Sequence, residues 1–205
     1  MENYVFNIGF YKSGTCSLAA ALNMLGIPTV HHIIRKIELY DIITENKNNN
    51  QKLFHGLDTT YQGFSDFRGE RYFRELYAQY PNSKFIFTIR PLEDWLTSIQ
   101  NWKLSKCYDT YTFIKNNEQK YLELAKLIKK SRRTIKKEQF NKKHRIRHYR
   151  RYKKEIRKFF KDKPNQFLEL RICEGEGWPE LCSFLNLDQP NVDFPRRNVT
   201  PLLKK

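Results

Sequence analysis

Cysteine is scarce and scattered in this chain. Cys16, Cys107, Cys173 and Cys182 form no CxxC pair and have no histidine at ligand spacing. That pattern argues against a zinc site and a disulfide framework, and for reduced thiols in a cytoplasmic protein. Long apolar runs are missing too: none approaches the ~20 residues of a membrane span. The opening Met1-Glu2-Asn3-Tyr4 has no basic stretch before an apolar one, so no secretory signal is expected. Internal repeats and clear linkers are absent. Acidic residues are depleted in one place only. Residues 126–163 hold nineteen basic and three acidic side chains, which accounts for the whole net charge of +16. The excess therefore belongs to one segment and says nothing about the rest of the fold.

What is present suits one domain of ordinary size, residues 1–205, with enough apolar residues (40%) to bury a core. Val5 to Gly9 reads as a short buried strand, followed by a turn at Phe10 to Gly14. Leu18, Ala19, Leu22 and Leu25 then recur at helical spacing, and Gly26 and Pro28 end that helix. Thr29 to Ile34 and Tyr61 to Ser65 are β-like, whereas Thr44 to Lys52 is polar and reads as loop. Arg71 to Tyr80 predicts a helix, Lys84 to Ile89 a buried strand and Leu92 to Trp102 an amphipathic helix. Residues 115–162 predict two basic helices, with a break near 139–144. Phe167 to Ile172 reads as the last strand and Trp178 to Leu185 as a short helix with Pro179 in its first turn. The alternation predicts an α/β, P-loop-type three-layer fold: a parallel sheet flanked by helices, plus a basic helical pair. Ligands of such sheets sit at the carboxyl ends of the strands. Gly9 to Ser17, Asp66 and Arg90 all follow predicted strands, which puts them on one edge.

The run Gly9-Phe10-Tyr11-Lys12-Ser13-Gly14-Thr15-Cys16-Ser17 has the glycine spacing of a phosphate-binding loop and leads into a helix. Backbone N–H groups at a helix start, backed by its dipole, cradle phosphate oxygens. A Walker A loop needs Lys after its second glycine, then Ser or Thr for magnesium. Those places hold Thr15 and Cys16, and the lysine stands inside the loop as Lys12. Metal-dependent phosphoryl transfer is poorly served by such a site, and no metal is expected. Anion binding, with one ammonium at a bridging oxygen, remains well served.

The run Lys12-Ser13-Gly14-Thr15-Cys16-Ser17-Leu18 resembles the 5′-phosphosulfate loop of the P-loop sulfotransferases, which use 3′-phosphoadenylyl sulfate (PAPS). Their usual form is K-x-G-T-T-S, so Cys16 stands for a threonine. The resemblance implies that Lys12 contacts the oxygen bridging phosphate and sulfur, with Ser13, Gly14, Thr15, Cys16 and Ser17 around the phosphate. Arg90 at a strand end and Ser98 eight residues on, in the next helix, match the family's pair for the 3′-phosphate. An arginine at a strand end offers a fixed fork of donors to such a group. Phe64-Ser65-Asp66, Tyr80-Pro81-Asn82-Ser83-Lys84 through Trp95, Glu174-Gly175-Glu176-Gly177-Trp178 and Phe194-Pro195-Arg196-Arg197-Asn198 are similar to the small soluble branch. The last of these adds Arg196 and Arg197 to the implied donor site. PAPS is then the cosubstrate, and the implied reaction moves its sulfuryl group to a hydroxyl or amine.

The attacking group must lose a proton, which a carboxylate or imidazole within reach can take. Asp66 is the first candidate; the cytosolic branch of the family carries its catalytic histidine at about this place. An ordinary aspartate is ionised but weakly basic. His32, after a β-like run, is the rival, and His55 is weaker.

Three readings compete for residues 126–163: a solvated helical face, a surface for a polyanionic acceptor such as an acidic glycan, or one for nucleic acid or an anionic membrane. No known nucleic-acid module is present. The acceptor and the oligomeric state are not legible, and loops at 35–65 and 100–120 are expected to set specificity. Competing functions are a nucleotide kinase or NTPase, and a nucleic-acid-binding protein with a vestigial loop.

Overall fold

The computed structural model of the chain describes residues 3–31, 44–57, 59–101 and 142–197. His32, Cys107, the first predicted basic helix, residues 35–43 of one expected specificity loop and nearly all of the other lie outside them. Two compact units make up the chain, Met1–Arg90 with Ile156–Val199, and Pro91–Glu155 with Thr200–Lys205.

The first unit is a five-stranded, all-parallel sheet in the order β2-β3-β1-β4-β5. Its strands are β1 Val5–Asn7, β2 Thr29–His31, β3 Gly63–Ser65, β4 Lys84–Thr88 and β5 Phe167–Leu170. Helix α1 is Thr15–Met24 and α2 is Gly69–Gln79. Residues 92–101 form α3, Lys142–Phe160 α4 and Trp178–Leu185 α5. The expected α/β fold is thus the observed one. Of the expected basic pair, α4 is the member within the described residues. One expectation fails: residues 44–48 are helical, not loop. Asn46 turns inward there, and its amide donates to the carbonyls of Leu53 and His55. Tertiary capture of a polar side chain overrode a composition that favours turns.

Period-two alternation divides the core. Val5, Ile86 and Leu170 face Leu18, Leu22, Trp178 and Leu181 of α1 and α5. Phe6, Phe64 and Phe85 face the other way, into an aromatic layer with Phe54, Phe67 and Tyr80. Phe54 and Phe64 stack at 4.0 Å between ring centroids, and Phe6 lies 5.6 Å from Phe54. Phe160, from the end of α4, closes this layer against Phe85 (5.1 Å) and Phe167 (4.7 Å). Burying each such ring contributes roughly 1.5–3 kcal/mol, so both faces of the sheet are secured without help from its carboxyl edge.

That edge is polar. The last residues of three adjacent strands, Asn7, Ser65 and Thr88, are fully buried and bonded to one another. Asn7 Nδ2 donates to Ser65 Oγ (2.9 Å), and Thr88 Oγ1 donates to Asn7 Oδ1 (3.2 Å). The Gly9 amide also donates to Asn7 Oδ1 (2.9 Å), and Ser65 Oγ donates to the Thr15 carbonyl (3.2 Å). Ser13 Oγ sits 2.8 Å from Thr88 Oγ1 and donates to the Phe10 carbonyl. The loop between β1 and α1 is therefore sewn to the sheet by side chains. Gly9 is needed because a Cβ there would overlap Thr88 Oγ1.

Removing Asn7 strips an acceptor from two buried donors and a donor from Ser65. At 1–3 kcal/mol per stranded buried group, Asn7→Leu is expected to lower unfolding free energy by on the order of 3 kcal/mol. Urea denaturation measures this, and a loss below about 1 kcal/mol would show that the network does not hold the edge.

Candidate functional site

Helix α1 begins on Gly14, which adopts φ 99° and is not followed by an acidic residue in the first turn. Among the described residues no side chain caps this end. The first amides of a helix lack intrahelical partners, and here they meet the positive end of the dipole. An anion is the species that such an end accepts. Gly14 itself is constrained twice, by its left-handed backbone and by Ile172, whose Cβ would lie 3.1 Å from an added Cβ.

The hydroxyls of the loop serve the fold. Ser13 is turned into the network beneath it. Thr15 Oγ1 lies 3.1 Å from His31 Nε2, and Ser17 Oγ accepts the Arg197 amide at 3.0 Å. The last bond brings the C-terminal segment, with exposed Arg196 and Arg197, onto the first turn of α1. The segment is held further by Trp178, whose Nε1 donates to the Val192 carbonyl (2.7 Å) and whose ring meets Phe194 at 4.9 Å.

Lys12 is half-buried and, unusually for a lysine, left-handed (φ 67°). Such conformations persist where the surroundings over-determine them, and they cluster at functional sites. Burial holds the Lys12 ammonium below the ordinary lysine value; Arg90 pushes the same way, while Cys16, Asp66 and Cys173 push it up. Four residues from four sequence regions therefore act electrostatically on one ammonium. Asp66 follows β3 and is left-handed as well (φ 60°).

A histidine does reach the loop, and it is His31. Its Nε2 lies 3.3 Å from Cys16 Sγ and 3.8 Å from Asp66 Oδ2. The neighbouring His32, chosen from the sequence, falls outside the described residues. Alternation along β2 supplied the missing signal: Val30 faces the core, and the following residue faces the opposite side. Asn7, Ser65 and Thr88 were missed as well, although each is the polar last residue of an apolar strand. Ser98, two turns into α3, is buried, and it belongs to the second unit whereas Arg90 ends the first. Among the described residues no three His, Cys, Asp or Glu side chains gather as a metal site, and no helix is long and apolar enough to cross a membrane.

Beside this edge Glu70, in the first turn of α2, is buried. Burial lifts its carboxyl to about 7; its own backbone hydrogen bond, Arg71 and Arg68 oppose this, and Asp66 adds to it. The native state thus holds a proton between the unfolded value of 4.5 and about 7 that the unfolded state has lost. The stability this contributes is complete below 4.5 and gone above 7. Glu70→Gln keeps the neutral form throughout. Relative to wild type it is expected to gain on the order of 2–3 kcal/mol between pH 5 and pH 8; parallel stability curves would contradict the assignment.

The family described as "Sulfotransferase domain" matches residues 4–201. No curated protein matches the chain.

Proposed function

The chain belongs to the sulfotransferase domain family, and on that premise we propose that it transfers the sulfuryl group of PAPS to an acceptor hydroxyl or amine. The observation that carries this reading is a helix start without a side-chain cap, preceded by Lys12, with Arg90 within electrostatic reach of that ammonium. One cation lies inside the loop and another stands two residues beyond the adjacent β4. A nucleotide with anionic groups at both ends of its ribose needs such a pair.

PAPS, when bound, supplies an activated sulfuryl group and a stable leaving phosphate. The α1 amides and the loop backbone would hold the 5′-phosphate, and Arg90 the 3′-phosphate, with Arg196 and Arg197 assigned to the same nucleotide. As the acceptor oxygen bonds to sulfur, the bond from sulfur to the phosphate oxygen breaks and negative charge grows on that oxygen. Lys12 neutralises it. A partly desolvated ammonium is stronger there than one in water. Asp66 takes the acceptor proton, with His31 as its neighbour 3.8 Å away. Cys16 replaces a hydroxyl of the family pattern, and the backbone contacts at its position do not depend on the side chain.

No magnesium-dependent step is invoked, because the two places that would hold the Walker lysine and hydroxyl are Thr15 and Cys16. What supports a cytoplasmic location is thiol usage: the four cysteines are scattered, with no CxxC pair.

Isothermal titration with adenosine 3′,5′-bisphosphate tests the reading directly. Binding in the micromolar range is expected, and no heat at high micromolar concentration would sink it. Lys12→Ala is expected to lower kcat by roughly 10²–10³-fold with little change in donor KM, because its contact strengthens as charge develops. Arg90→Ala is expected to weaken nucleotide binding by roughly ten- to a hundredfold, the worth of a charged hydrogen-bonded contact. Equal nucleotide affinity in that variant would remove Arg90 from the site.

A further inference from the structure

Helix α4 carries ten Lys and Arg side chains and one acidic residue, Glu155. Their arrangement is not uniform. At 100° per residue, Lys143, Arg147, Arg150, Arg151 and Lys154 fall within an arc of roughly 100°. Tyr149, Ile156 and Phe160, the buried residues of the helix, point to the opposite side. Tyr149 meets Trp95 of α3 at 5.2 Å. The helix is therefore anchored along one line and cationic along the other. The cationic line runs for about 16 Å, from eleven residues at 1.5 Å rise. With Ile146 the same five residues border one open surface depression.

The acid that could quench this line is spent. Glu155 pairs with Arg151 at 3.5 Å. Among the described residues Arg147, Arg150 and Lys154 have no acidic partner. Arg147, Arg150 and Lys154 lie three and four residues apart as like charges that repel one another, and a polyanion relieves that repulsion.

The exposed residues of α4 also define what the partner is. No Tyr, Phe or Trp is among them: Tyr152 is half-buried, with His148 at 4.4 Å and the Arg151 guanidinium over its ring. Single-stranded nucleic acids need aromatic platforms for their bases. Interfacial helices need an apolar face to insert beneath headgroups, and here that face is buried in the protein. A linear chain with fixed anionic groups asks only for aligned cations. We propose that α4 is the docking surface for an acidic polysaccharide, a linear glycan bearing carboxylates or sulfates, which serves as the acceptor. The acceptor role rests on the sulfotransfer reading, since a glycan carries a hydroxyl on every residue; the docking surface does not.

The test uses the full chain and fluorescein-labelled chondroitin sulfate, followed by anisotropy between roughly 50 and 200 mM salt, where charge-driven binding weakens steeply. Arg147→Glu with Arg150→Glu is expected to weaken binding at least tenfold. Lys47→Glu with Lys161→Glu, an equal change of net charge outside the line, is expected to weaken it less than threefold. Circular dichroism and adenosine 3′,5′-bisphosphate titration on the same samples report folding and the nucleotide site separately. Equal losses in both double variants, or tighter binding of a duplex RNA or DNA of matched charge or of phosphatidylserine vesicles, would overturn the proposal. Retained glycan binding with no nucleotide binding would leave the surface standing and remove only the acceptor role.

Discussion

Asn7 is the joint on which the site depends. A parallel sheet positions its strands well, but it leaves each carboxyl end open, and the loop that follows is free to move unless something holds it. One amide at the end of the central strand answers to both neighbouring strands and to the loop itself. Because the amide is fully buried, its partners have no water to fall back on, and the alternatives are costly. The network thereby makes one loop conformation much better than its competitors. Lys12 and Asp66, both in left-handed backbone, adjoin the loop and strand end that this network holds.

The division of labour within the loop follows from that. Hydroxyls that a sequence comparison assigns to phosphate are occupied with Phe10, Thr88, His31 and Arg197. The amides of the helix start are backbone groups, which survive most substitutions. A thiol can therefore stand at position 16 without dismantling the loop. The thiol meets an imidazole instead, and so ties β2 to the start of α1.

Much of this was legible beforehand. Strand and helix types followed from period two and period 3.6, and α5 was bounded to the residue, with Pro179 marking its first turn. The turn from β1 into α1 was legible too, because the spacing of Gly9 and Gly14 marks a strand-to-helix loop. The approach of His31 to Cys16 was not legible, because composition does not say toward which face a strand-end histidine turns. Asn46 was misread because a polar residue in a polar stretch gives no sign that it will be buried.

The chain alone determined which residues alternate, where helices stop, and that positive charge is gathered in one segment, because these are local properties written in neighbouring positions. Only the tertiary structure decided which strand ends lie side by side, which histidine reaches the loop, and which charges of α4 share a line opposite its buried residues. Those outcomes depend on hydrogen bonds and ring contacts between residues up to 180 positions apart. Their energies exist only once the sheet has been assembled.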